Sequence, residues 1–83
     1  MILKRNLFVK YRTLKGEPYL LNGRNAFKLD EVGKVIWESI DGEKDLNEIT
    51  EIVAKKFNIY FKDIEKDIKE FIEELKKNEL ISS

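Results

Sequence analysis

The side chains in this sequence that can move protons or bind cations are carboxylates and amines. There are sixteen Asp and Glu and sixteen Lys and Arg, with no histidine and no cysteine. Catalysis needs a nucleophile beside a base, a metal, or an acid–base pair whose pKa values are pushed apart by their surroundings. No His or Cys is present to serve any of these. The glycines at 16, 23, 33 and 42 are too scattered to make a loop that cradles phosphate. Glu70, Glu73 and Glu74 are a dense acidic cluster, but they fall on the water-facing side of a helical pattern and lack the ligand spacing of a calcium loop. The expectation is a protein that is not an enzyme, that holds no metal or cofactor, and that works by binding.

Binding points to the stretch Asn25-Ala26-Phe27-Lys28-Leu29-Asp30. It reads as the last strand of a small sheet, with one edge left open to another chain. Before it, residues 6–14 alternate Leu7, Val9 and Tyr11 with Phe8, Lys10 and Arg12, a period of two that suggests a strand with one buried face. Lys15-Gly16 breaks that strand. Pro18, lacking a donor, belongs at the start or edge of the next, which continues through Tyr19-Leu20-Leu21. Asn22 and Gly23 both tolerate positive φ and suggest a type I′ hairpin turn. That turn pairs Leu21 with Arg24, Leu20 with Asn25 and Tyr19 with Ala26. Beyond it Ala26 and Lys28 share one face, and Phe27 and Leu29 the other, taken to lie under helices.

From Asp30 the period becomes helical. Asp30 is a natural N-cap for a helix whose stripe is Val32, Val35, Ile36 and Ile40, with Trp37 on its flank and an end near Asp41-Gly42. Asp45 and Glu48 form a capping box ahead of Leu46, Ile49, Ile52, Val53 and Phe57, and Asn58 is a C-terminal stop. The longest helix runs from about Phe61 to Asn78 with the stripe Ile64, Ile68, Phe71, Ile72 and Leu75. Its Glu65–Lys69, Lys66–Glu70, Lys69–Glu73 and Glu73–Lys77 spacings suit i,i+4 ion pairs. Leu80 and Ile81 are expected to fold back onto the core. Three strands followed by three helices make an α+β domain, an N-terminal antiparallel sheet packed on a helical layer.

At 83 residues the chain is read as a single domain, 1–83, without covalent or metal staples. No apolar stretch approaches the ~20 residues that cross a bilayer, and no secretory pattern opens the chain, so a cytoplasmic protein with no membrane partner is expected. Residues 1–30 carry seven basic side chains against two acidic, and residues 31–83 carry nine against fourteen. Such polarity would steer an acidic peptide toward the N-terminal part, or it is solvated surface without a partner. A winged helix-turn-helix bound to DNA is the alternative. It needs a basic recognition helix, and neither 45–58 nor 61–78 is basic, so no nucleic acid is expected.

The run from Tyr19 to Glu38, with its Leu21-Asn22 pair and later Trp37, resembles the PqqD family. So do Ile40-Asp41-Gly42 followed by Leu46-Asn47-Glu48-Ile49, the segment Asp67 to Leu75, and Glu79-Leu80-Ile81. The likeness covers Tyr19 to Ile81 and leaves Lys4-Arg5 unplaced. It implies a RiPP recognition element: a winged helix-turn-helix-like domain that binds the leader region of a ribosomally made precursor peptide. It further implies delivery of that peptide to a modifying enzyme, either a radical SAM enzyme or a lasso-type protease and cyclase, by a monomer or weak dimer. The leader adds as a strand beside the third strand and lies against the third helix. The implied site is the backbone of Asn25, Ala26, Phe27, Lys28 and Leu29, with Phe27 and Leu29 as floor. Ile64, Ile68, Phe71 and Leu75 form the helical wall, and Asp67, Lys28 and Glu74 meet polar groups. For Ile68, Ile72 and Leu75 plain core is the competing reading, and Trp37 reads as core.

Overall fold

The two periodicities resolve into eight elements in the computed structural model, which describes residues 1–83. In chain order these are β1 (Lys4–Arg5), β2 (Lys10–Leu14), β3 (Glu17–Asn22), β4 (Asn25–Lys28), α1 (Glu31–Ser39), α2 (Leu46–Phe57), α3 (Phe61–Lys77) and β5 (Ile81–Ser82). Strands β2, β3 and β4 form an antiparallel sheet in that order, and β1 pairs with β5 in a separate two-stranded sheet. The α+β expectation holds, with the second sheet as an addition to it.

β2 starts later than the alternation over residues 6–14 suggests. Asn6 closes a turn instead: its carbonyl accepts from Val9 N–H at 3.1 Å and its side-chain oxygen from Phe8 N–H at 2.9 Å. A short polar side chain that bonds the backbone ahead of it competes with a sheet ladder. Leu7 and Phe8 sit at the tip of that turn, 95% and 84% exposed. Leu7 therefore does not share the half-buried face of Val9 and Tyr11.

The β3–β4 register also differs from expectation. Asn22 pairs with Asn25, Leu21 with Ala26, Leu20 with Phe27 and Tyr19 with Lys28. The two turn residues are thus Gly23 and Arg24, and only Gly23 has positive φ, at 61°. The turn with both central residues at positive φ is Lys15-Gly16, at 53° and 80°, the type I′ signature. The slip is two residues, which preserves the sidedness of every side chain. Phe27 and Leu29 accordingly point to the helices as expected. The observed register sets Leu20 against Phe27, whereas the expected one set it against Asn25.

Side-chain caps start α1 and α2, whereas α3 begins after Tyr60 without one. Asp30 accepts from Gly33 N–H at 2.6 Å. Asp45 and Glu48 exchange both bonds of a capping box, at 2.9 and 3.1 Å. Asn58 ends α2 in the left-handed region, φ 55°. None of the four i,i+4 spacings on α3 closes; its ion pair is Glu73–Lys76 at 4.0 Å.

One core cluster joins all three helices to both sheets, with Leu20, Ile36, Ile49, Val53, Ile68, Ile72 and Leu75 among its buried members. Leu80 and Ile81 join it as expected. The N-terminal segment that the sequence left unplaced is part of this core. Leu3 is 2% exposed, and its N–H donates to Lys44 O at 3.0 Å. Arg5 lies 5.1 Å over the Trp37 ring, and its Nε donates to Trp37 O at 3.1 Å. Asn6 donates through its backbone to Leu80 O and through its side chain to Glu79 O.

Truncating a fully buried leucine costs about 2–5 kcal/mol, whereas trimming an exposed one stays within about 0.5 kcal/mol. Urea unfolding should therefore separate the two apolar residues near the N-terminus. Leu3→Ala is expected to lose about 3 kcal/mol, and Leu7→Ala to match the parent.

Candidate functional site

The site is built from β4 and what borders it. β4 is an edge strand, bonded to β3 alone. Leu29 N–H donates to Pro18 O at 2.9 Å, continuing the β3 ladder. Antiparallel strands bond a neighbour through alternate residues. Asn25, Phe27 and Leu29 therefore face β3, and the N–H and C=O groups of Ala26 and Lys28 face the open side. Such groups form a ready template for another strand.

On the core side of that edge stands α3. The rings of Phe27 and Phe71 meet edge to face, 6.2 Å apart at 64°. Both are half-buried, so the pair forms part of the surface. Toward the N-terminus of α1 a cavity of about 270 Å³ opens between α1 and α3, lined by Asp30, Val32, Gly33, Ile36, Ile64, Asp67, Ile68 and Phe71. At the hairpin end a second, more polar depression of about 190 Å³ has Asn22, Asn25, Ala26, Phe27 and Asn78 among its walls.

The residues singled out in the sequence divide into three groups. Asn25, Ala26 and Lys28 are exposed on the strand; Asp67 and Glu74 are exposed on α3. Phe27 and Phe71 are half-buried between them, and Ile64 and Ile68, although buried, line the cavity. Leu29 and Leu75 lie beneath the surface, Leu75 at 0% exposure. Ile72 and Trp37 are core. The Lys28 side chain points away from α3, onto the outer face of the sheet, where its ammonium meets Glu17 at 2.9 Å. The hydrogen bond and charge of Glu17 raise the Lys28 pKa.

Sequence reasoning missed the α1 contribution to the cavity, Val32, Gly33 and Ile36, because their spacing reads equally as a core stripe. Gly33 carried the available signal: a glycine inside a helix costs about 1 kcal/mol against alanine and usually has a packing reason. A Cβ there would stand 3.1 Å from Phe71 Cζ and 3.1 Å from Asp30 Oδ1. The missing side chain lets the Phe71 ring rest against α1.

The family model described as coenzyme PQQ synthesis protein D (PqqD) matches residues 19–81. This chain belongs to the PqqD family. A curated relative, the PqqA binding protein of Rhizobium meliloti (strain 1021), is 29% identical over 73 residues, covering 88% of this chain and 74% of the relative. Among solved structures, TbiB1 in complex with the TbiA(β) leader peptide is 26% identical with a TM-score of 0.81, covering 96% of this chain and 95% of that one. The PqqD truncation of Methylobacterium extorquens PqqCD, described as a functional, stand-alone RiPP recognition element, shares the fold with a TM-score of 0.80 at 19% identity. The alignment spans 99% of this chain and 89% of that one. The PqqD fold accounts for the three-stranded sheet and three helices.

Gly33→Ala tests the packing between α1 and Phe71. The new methyl group must displace the ring, and overpacking costs about 1–3 kcal/mol against a helix-propensity gain of about 1 kcal/mol. The expected result is unchanged or slightly lowered stability, with the nuclear Overhauser contact between the Phe27 and Phe71 rings weakened or lost.

Proposed function

We propose that this chain is a RiPP recognition element. It binds the leader region of a ribosomally synthesised precursor peptide by strand addition to β4, with the leader seated against α3. The observation that carries the reading is the open edge of β4, with the outward amides of Ala26 and Lys28, bordered by the Phe27–Phe71 pair and an apolar cavity. In strand addition, main-chain bonds supply affinity and adjoining pockets supply selectivity. The PqqA-binding relative and the leader complex of TbiB1 support it.

The contact set we propose is the backbone of residues 25–29, the rings of Phe27 and Phe71, the cavity faces of Ile64 and Ile68, and the carboxylates of Asp67 and Glu74. Leu29 and Leu75 support these from beneath. The protein acts by binding alone and delivers the leader to a modifying enzyme, of the radical SAM or the lasso protease and cyclase class. We read α2, α3 and the sheet as a winged helix-turn-helix layout turned to peptide recognition. The DNA-binding alternative lacks support, since α3 carries five lysines against six carboxylates.

Two variants test this by fluorescence anisotropy of a labelled leader from the precursor encoded beside the gene. Phe71→Glu removes an aromatic contact at the centre of the groove, where such losses typically exceed about 1–2 kcal/mol. Leader binding should weaken at least tenfold while the circular dichroism spectrum is kept. Lys28→Pro removes one outward donor, and a net hydrogen bond is worth about 1 kcal/mol. Binding should fall about fivefold relative to Lys28→Ala, which controls for loss of the Glu17 ion pair. Normal affinity in a folded Phe71→Glu protein would remove that ring from the site.

A further inference from the structure

Charge is distributed unevenly around α3. Burial of Ile64, Ile68, Ile72 and Leu75 fixes the rotation of the helix. At about 100° per residue, the flank beyond Phe71 is occupied by Asp63, Asp67, Glu70 and Glu74, with no lysine among them. The lysines of α3 fall on its back and opposite flank, where Lys66 and Lys69 border a depression shared with α2. None of the four carboxylates is in an ion pair. The nearest cation on the strand, Lys28, is turned to the outer face and held by Glu17.

The groove beside β4 thus has an apolar floor and one wall of carboxylates that close no ion pair. Asp67 lines the cavity itself, next to Phe71. Carboxylates alone would make no site. Here they border an open strand edge and an apolar cavity that already fit a peptide. Resting on the leader-binding reading above, we infer that the groove selects a basic leader segment. Its inward-facing residues combine an apolar side chain for the α1–α3 cavity with Lys or Arg reaching the α3 carboxylates. Of the cations in the basic N-terminal third, Lys28 is held by Glu17 and Arg5 lies over Trp37, so neither is directed at this wall. Charge pairs at a groove rim speed association and exclude like-charged peptides more than they deepen affinity.

The test is selection of random 14-residue peptides displayed on phage. It runs in parallel on the parent protein and on a variant neutralised at all four positions (Asp63→Asn, Asp67→Asn, Glu70→Gln and Glu74→Gln). Selected peptides are then measured by anisotropy at low and high salt. Parent-selected peptides should be enriched in Lys and Arg beside apolar residues. They should bind the parent about tenfold more tightly than the neutralised variant, as expected for a few rim pairs, and the gap should close at high salt. They should also weaken on Lys28→Pro. Peptides without basic enrichment, or bound equally by the neutralised variant, yet weakened by Lys28→Pro, would overturn the charge preference and leave strand addition standing. Peptides indifferent to Lys28→Pro would overturn both.

Discussion

Burial of one apolar stripe on α3 sets the geometry of everything around it. With Ile64, Ile68, Ile72 and Leu75 inside the core, helical periodicity leaves no choice about the rest of the helix. Phe71 emerges at the boundary, against Phe27 of the edge strand, and the carboxylates follow one step further out. The same stripe covers the sheet face that carries Leu20 and Leu29. A groove between a helix and a strand edge is then the geometric remainder of a packed core, and its walls are the residues flanking the stripe.

A chain of this size has little apolar surface to spend, and it closes itself by joining its ends. β1 pairs with β5, Leu3 enters the core, and Arg5 covers Trp37. These contacts draw the N-terminal segment across the α1–α2 turn and the exit of α3. Apolar burial of this kind contributes about 25 cal/mol per Å², so one well-buried leucine is a substantial share of the stability that a small domain retains. The arrangement also leaves the outer edge of β4 unburdened: its Phe27 packs toward the core, and its outward backbone groups bond to no other strand.

Much of this was legible in the sequence because it depends on local chemistry. Asp30, the Asp45–Glu48 box and Asn58 mark helix ends through bonds made within a few residues, and the helices fall within a residue or two of expectation. The faces of Phe27 and Leu29 followed from a period of two. What was not legible depends on distant partners. A two-residue strand such as β1 has no periodicity of its own, and Leu3 is held in the core by segments distant in sequence, its N–H bonded to Lys44 and the neighbouring Asn6 bonded to Leu80. The hairpin register turned on whether Leu20 meets Phe27 or Asn25, and two neighbouring Gly-containing turns competed for the same signature. The α1 side of the cavity was hidden because a residue lining a groove and a residue lining a core have the same spacing.

The alternation of β4 has a consequence for how much of a guest strand is read. A peptide extended along that edge turns every second side chain toward α3 and the others toward the outer face, alongside Ala26 and Lys28. On the proposed strand addition, half of the guest's sequence would be inspected by this protein, and the other half would stay displayed on a continuous sheet surface. One short segment can therefore carry two messages at once, on opposite sides of the same strand. A second protein can read the displayed side without dislodging the first, and the two sets of residues are free to diverge independently.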